Sequence, residues 1–175
     1  MRNDWQVDID WNVKLFRLIN SRRFKFLDKF YKKFYLMGKS YSLIIFYPIF
    51  YYFGKLPAVF DLTLSMIITG IIMPLIKYTF RHQRPAKLLE NVHLLEPVSL
   101  KSFPSADTAY AFTLFGVSLF YFPVWAIFLM GVYAFLIAFG RIYMGAHFPI
   151  DVFTGAVLGL LSAFLSHILI TYFLV

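Results

Sequence analysis

The sequence predicts an all-α protein: a polytopic membrane helix bundle of about five transmembrane helices, preceded by an N-terminal interfacial amphipathic helix. Three observations point there. Of 175 residues, 60% are hydrophobic and only 15% are charged, which is too apolar for a soluble domain of this size. Uncharged runs of membrane-crossing length recur between polar connections. Ten of the seventeen Lys and Arg residues fall within residues 1–39, mixed with aromatic side chains. The length fits a single membrane-embedded domain over 1–175, with a basic interfacial segment (1–26) and a helical core (27–175). With no cysteine, disulfides, thiolate metal sites and thiol nucleophiles are excluded. The formal charge of +8 is interleaved with lipid-soluble segments, so the expected partners are the bilayer and an anionic lipid headgroup, not nucleic acid.

At residues 11–19, Trp11, Val13, Leu15, Phe16, Leu18 and Ile19 alternate unevenly with Lys14 and Arg17, as in a helix lying in the interface. A basic flank that merely anchors the first span reads equally well from them. The first forty residues lack a clean apolar core followed by small residues, so no cleavable leader is expected. A helical pattern runs over 27–53, with Lys29, Lys32 and Lys33 snorkelling to the interface and Pro48 placed to kink the span. After a Gly54-Lys55-Leu56-Pro57 turn, residues 59–80 form a second span that ends in a cationic run over 77–84. A polar connection bearing prolines follows, then a third span at 105–121 with Pro123 after its turn. The fourth span, 124–140, holds no charge in seventeen residues; the fifth, 152–175, holds none and one histidine, His167. No internal repeat is visible. This threading brings the connections 81–104 and 141–151 out on one face with the basic segment, so the two can build one site.

Residues 141–151 set a guanidinium, an imidazole and a carboxylate between uncharged spans, where ionisable groups are costly and presumptively functional. Pro149 suits the first turn of a helix, which puts Asp151 about one turn beyond His147. There it can accept a hydrogen bond from one ring nitrogen, fix the tautomer and leave the other nitrogen free to attack. A helix-start histidine satisfied by a nearby carboxylate is the plainer reading. A phosphoryl group in transfer spreads charge over its equatorial oxygens, and Lys77, Arg84 and Arg141 are suited to meet it, the arginines with forked donors. Taken singly, each of the three also reads as a snorkelling flank. Ser105 follows Pro104 where a helix begins, so its hydroxyl and the backbone N–H groups from Ala106 onward can hold phosphate at the positive helix end; an ordinary N-cap is compatible with that. No carboxylate or histidine cluster has ligand spacing, so no metal and no other cofactor is expected.

Taken together, Lys77-(six residues)-Arg84-Pro85, Pro104-Ser105-Ala106-Asp107 and Arg141-(five)-His147-(three)-Asp151 resemble the signature of the type-2 phosphatidic acid phosphatase superfamily, which also includes vanadium haloperoxidases. The family pattern is Lys-x6-Arg-Pro, Pro-Ser-Gly-His and Ser-Arg-x5-His-x3-Asp. The blocks cover residues 77–151, in order and between helices. The resemblance implies that His147 attacks phosphorus to give a phosphohistidine that water hydrolyses, that Asp151 orients His147, and that no metal is needed. Two departures matter. Gly140 stands where the family has serine. Asp107 stands where a histidine protonates the departing alkoxide, and an aspartate with an ordinary pKa near ~4 is a poor acid at neutral pH. Asp107 is either protonated in a dry site, against the pull of nearby cations, or faces a leaving group that needs little help, such as a diphosphate or an anomeric sugar phosphate; a crippled enzyme is the third reading. His82 and His93 are not singled out by their spacing, and His167 reads as a helix-packing residue.

The expectation is a membrane lipid phosphatase acting on lipid A 1-phosphate first or undecaprenyl diphosphate second, with phosphatidylglycerol phosphate and phosphatidic acid as alternatives. A non-catalytic anionic-lipid-binding membrane protein would use the same cations, but gives no reason for His147 to stand four residues before Asp151. The family's usual orientation implies a bacterial inner (plasma) membrane with the site on the outer or periplasmic face. Against this, sixteen of the seventeen cations share the site's face, which the positive-inside rule would turn to the cytoplasm.

Overall fold

The structure, a computed structural model, describes residues 4–97 and 101–174, so residues 1–3 of the basic segment, 98–100 of the first polar connection and Val175 of the last span lie outside it. The described residues hold helices and no strand: α1 (Asp10–Asn20), α2 (Lys25–Phe34), α3 (Tyr47–Phe80), α4 (Pro85–Leu88), α5 (Ala106–Tyr121), α6 (Val124–Tyr143) and α7 (Pro149–Leu174), with 3-10 turns at Trp5–Val7, Tyr35–Gly38 and Ser40–Phe46.

α5 is the centre. Its buried residues, among them Thr108, Ala111, Leu114 and Val117, point in every direction, the mark of a helix enclosed by others. α3, α6 and α7 surround it. Where water supplies no driving force between helices, small residues allow close approach. A Cβ at Gly159 would strike the carbonyl of Ala109, and one at Gly116 would lie 2.6 Å from the Cβ of Ala163. Thr113 ties the seam, its hydroxyl 2.8 Å from that of Thr69 and 3.3 Å from the carbonyl oxygen of Gly159. Outward faces carry exposed Phe60, Ile71 and Leu75 on α3, Phe128 and Phe135 on α6, and Phe153 and Ile168 on α7, as hydrocarbon surroundings require. Three stretches, Ser40–Leu88, Val124–Tyr143 and Pro149–Phe173, are long and apolar enough to cross a membrane. α5, at sixteen residues, reaches only about 24 Å.

The helical pattern expected over 27–53 is broken in the structure. α2 stops at Phe34, Lys39 is extended (φ −75°, ψ 144°), and Ser40–Phe46 is a 3-10 turn. The reason is local: Gly38 packs so closely on Ile137 that a Cβ would lie 3.1 Å from its side chain, and Lys39 turns inward to two carboxylates. The turn expected at 54–57 is a single non-helical residue, Lys55 (φ 53°, ψ −150°), inside an otherwise continuous run. Beyond it, Asp61 is fully buried and holds α5 and α7 to α3, accepting from Tyr121 Oη at 3.2 Å, Ser166 Oγ at 2.6 Å and His167 Nδ1 at 2.8 Å. His167 therefore does pack helices, stacked on Phe120 at the end remote from the motif residues.

The N-terminal amphipathic helix, α1, buries Asn12, Phe16 and Asn20, spaced four apart, and exposes Trp11, Leu15 and Leu18. Phe16 packs against Phe148, and Asn20 donates to the carbonyl oxygens of His93 and Tyr143, so the segment grips both polar connections.

Candidate active site

α6 ends at Tyr143, and Gly145 (φ 77°) reverses the chain; a Cβ there would lie 2.5 Å from the carbonyl oxygen of His93. The backbone N–H groups of Ala146 and His147 both donate to the carbonyl oxygen of Arg141 at 3.1 Å. α7 then opens at Pro149. Asp151 reaches back to the N–H of Phe148 at 3.1 Å, half of a capping box.

This places the imidazole of His147, 2% exposed, with Nδ1 toward the Asp151 carboxylate (3.4 Å to Oδ2) and the hydroxyl of Ser102 (3.3 Å). Ser102 Oγ also donates to Asp151 Oδ2. Such surroundings favour the tautomer protonated at Nδ1. Nε2 faces the other way and accepts from Arg84 Nη1 at 3.1 Å. Burial first, then the cations Arg84, Arg141, Lys77 and Lys39, hold the imidazole well below its ordinary range, so at neutral pH it is uncharged, its Nε2 lone pair accepting from Arg84.

Around Nε2 stand the cations. Arg84, at the N-cap of α4, is fixed by a second bond from Nη1 to the carbonyl oxygen of Ala146 at 2.8 Å. Arg141, in the last turn of α6, pairs through Nη1 with Asp107 Oδ2 at 3.1 Å and through Nη2 with Glu96 Oε1. Its buried Nε has no acceptor among the described residues. Lys39 Nζ bridges the same two carboxylates, at 3.0 Å to Asp107 and 3.7 Å to Glu96. Lys77 lies within electrostatic reach of Arg84, Asp107, Arg141 and Asp151, and no hydrogen bond or ion pair holds it among the described residues.

The structure thus brings Lys77, Arg84, Asp107, Arg141, His147 and Asp151 into one cluster. Ser105 sits beside it, but its fully buried hydroxyl is engaged with Thr108 Oγ1 at 2.9 Å, and its N–H donates to the carbonyl oxygen of Asp151 at 3.0 Å. The N–H groups of Ala106 and Asp107, in the first turn of α5, are outside the helical ladder. Gly140, the other departure from the family pattern, lies under the ring of Tyr31: a Cβ would meet Cε1 and come within 2.7 Å of Cδ1, so no serine fits there.

His82 and His93 stand apart from the cluster. His82 accepts from Trp5 Nε1 at 2.8 Å among the rings of Phe80 and Phe103. His93 contributes its carbonyl to Asn20 and Arg23.

Lys39, Glu96, Ser102 and Gln6 were not legible as site residues. Lys39 reads as one more basic residue before a span, and Glu96 as a loop carboxylate with no spacing to mark it. The usable signal was in α1, where Asn12 and Asn20 share a face with Phe16.

An apolar cavity of about 690 Å³ is lined by Tyr41, Leu43, Ile44, Tyr47, Met66 and Ile67. Ser40 on its rim follows Lys39, and Tyr110 on its wall stands three residues beyond Asp107.

The chain has known relatives in fold and sequence. The crystal structure of Aquifex aeolicus LpxE superposes with a TM-score of 0.87 at 38% identity, covering 95% of this chain and 98% of that one. The crystal structure of the first transmembrane PAP2 type phosphatidylglycerolphosphate phosphatase, from Bacillus subtilis, shares the fold with a TM-score of 0.77 at 21% identity, over 94% of this chain and 86% of that one. The undecaprenyl-diphosphatase of Sulfolobus acidocaldarius is 29% identical over 163 residues, 92% of this chain and 79% of that protein. Residues 58–174 match the family model of the PAP2 superfamily, and the chain belongs to that superfamily as a membrane lipid phosphatase.

Proposed function

We propose that the protein removes a phosphate from an amphiphilic lipid through a phosphohistidine on His147, and that its substrate is lipid A 1-phosphate first or undecaprenyl diphosphate second. The observation that carries the substrate class is Asp107. At the position of the family's proton donor stands a carboxylate paired with Arg141 at 3.1 Å and with Lys39 at 3.0 Å. A carboxylate so paired serves the two cations as their acceptor, and no histidine stands there to protonate a departing alkoxide. The reaction then requires a lipid oxygen that leaves as a stable anion. An anomeric sugar oxygen and the phosphate of a diphosphate both meet that better than a glycerol alkoxide. The full-length likeness to LpxE supports the first choice, and the activity in the name of the Sulfolobus relative supports the second.

In this reading the phosphate takes the donors of Arg84, Arg141, Lys77 and the first-turn N–H groups of Ala106 and Asp107, relieving the unpartnered Nε of Arg141. The lone pair of His147 Nε2 forms a bond to phosphorus, and the bond from phosphorus to the lipid oxygen breaks with its electron pair on oxygen. Asp151 stabilises the positive ring through Nδ1–H. Water then attacks phosphorus, frees inorganic phosphate and restores the imidazole. No metal takes part. The hydrocarbon chain enters from the bilayer along the cavity beside Lys39. The membrane is a bacterial inner membrane, with the site on its outer face.

Phosphate release in chelator from lipid A 1-phosphate, undecaprenyl diphosphate, phosphatidylglycerol phosphate and phosphatidic acid tests the proposal. The expected result is turnover of the first two and its loss in His147→Ala. Full activity of that variant would remove the nucleophile, and equal turnover of phosphatidic acid would remove the leaving-group argument. Labelling of a single cysteine introduced by His93→Cys, in intact cells, tests the face.

A further inference from the structure

We infer that Gln6 is a positioning residue for this reaction, acting through Asp151. The inference rests on the reading of His147 as the nucleophile. Gln6 lies in the 3-10 turn Trp5–Val7, is completely buried, and donates through Nε2 to Asp151 Oδ1 across 145 residues of sequence. The bond divides the carboxylate between two tasks. Oδ2 receives Ser102 Oγ, the Phe148 N–H and the Nδ1 side of His147. Oδ1 receives Gln6. Without Gln6 the carboxylate would keep a buried oxygen with one partner fewer, and the angle at which Oδ2 meets the imidazole would be set by the contacts of Oδ2 alone.

Two further observations separate this role from packing. Gln6 Oε1 is buried without a partner among the described residues, a cost that an apolar side chain of the same shape would avoid. The turn is also pinned at two points, one of them through Asn12 to the start of α7. Asn12 Nδ2 donates to the Gln6 carbonyl oxygen at 2.8 Å, and Asn12 Oδ1 accepts from the Ile150 N–H at 3.0 Å, one residue from Asp151. Trp5 Nε1 donates to His82, two residues before Arg84. The segment is fixed to the chain on either side of the imidazole, and the amide is aimed at the oxygen that the imidazole does not use.

The test is a double-mutant cycle on the full chain with the substrate that turns over best. Gln6→Met keeps the length and removes the donor. The expected result is a fall in kcat of about ten- to a hundredfold with KM within about twofold, the size typical of losing a group that orients a functional histidine's partner. In an Asp151→Asn background, adding Gln6→Met should change kcat by less than about twofold, because the route of its action is gone. A residue that only supports the fold would lower activity equally in both backgrounds, and that result overturns the inference. So does wild-type kcat in Gln6→Met, or a rise in KM alone. If the methionine variant does not fold, Gln6→Asn carries the same cycle, keeping an amide in the slot but drawing it back by one methylene. Failure of both to fold while Asp151→Asn folds would make residue 6 structural and overturn the inference. The two readings fail separately: active His147→Ala sinks the nucleophile, whereas dead His147→Ala with fully active Gln6→Met sinks only the role of Gln6.

Discussion

Asp107→Asn distinguishes a carboxylate that serves as an ion-pair partner from one that serves as an acid. Asparagine keeps the volume and one acceptor oxygen but loses the charge at 3.0 Å from Lys39 and 3.1 Å from Arg141. At an effective dielectric near 20, each attraction is roughly 5 kcal/mol before desolvation is counted. Most of that is not lost. Glu96, 5% exposed, pairs with the same two cations, so neither is left buried alone. The expected stability cost is about 1–3 kcal/mol, that of one charge-assisted bond. For activity, both cations become freer to meet phosphate, so kcat/KM should move by less than about tenfold. The decisive quantity is how that change depends on the leaving group. A general acid contributes about 10²–10⁴-fold, concentrated where the departing oxygen is most basic. The assay is kcat/KM for wild type and Asp107→Asn on a prenyl diphosphate, an anomeric lipid phosphate and a glycerol-linked lipid phosphate, plotted against leaving-group basicity. Parallel lines are expected. A variant line that steepens, losing about a hundredfold or more on the glycerol-linked substrate and nothing on the diphosphate, refutes the ion-pair assignment.

Gly140→Ser, which restores the family's usual residue, should destabilise by about 1–3 kcal/mol because the added atoms meet the Tyr31 ring; thermal unfolding in detergent should show a Tm lowered by about 2–12 °C, and an unchanged Tm would refute the packing account. Asp61→Ala should lower stability by about 3–5 kcal/mol, since it strands His167, Ser166 and Tyr121 at the remote end, while leaving kcat within about twofold; a large loss of kcat at unchanged stability would contradict it. The acid limb of kcat/KM that reports His147 should lie below pH 6.5, because burial and the surrounding cations depress its proton affinity; a limb at or above that value refutes the assignment. The same shift acts on stability. The folded imidazole binds its proton less readily than the unfolded one, so its contribution is complete above the unfolded pKa and is lost as pH falls below about 6.5, a slope that His147→Ala should flatten.

The parts of the fold that were legible are those where local chemistry and membrane physics agree. The uncharged runs 124–140 and 152–174 lie within α6 and α7, Pro149 opens α7, and the turn expected at 54–57 is the break at Lys55. Spacing was enough to bring Lys77, Arg84, Arg141, His147 and Asp151 onto one face. It did not reveal the carboxylates that hold the cations, because Glu96 pairs with Arg141 over 45 residues with no periodic relation between them. Lys39 reads in the sequence only as one more basic residue before a span, since composition cannot tell a lysine pointing to headgroups from one turned in to Asp107. The meaning of Gly140 was invisible for a similar reason: only the ring of Tyr31, brought in from α2, shows why a side chain is absent.

The bond between Gln6 and Asp151, with the cap from Asn12 to the start of α7, has a bearing on biosynthesis. A ribosome delivers residue 6 long before residue 151, so a nascent chain threaded as far as α6 already carries Arg84 and Arg141 yet lacks both His147 and its carboxylate. Until α7 arrives and docks on the amino-terminal turn, the partly made chain holds the cations of the cluster without the imidazole and its carboxylate.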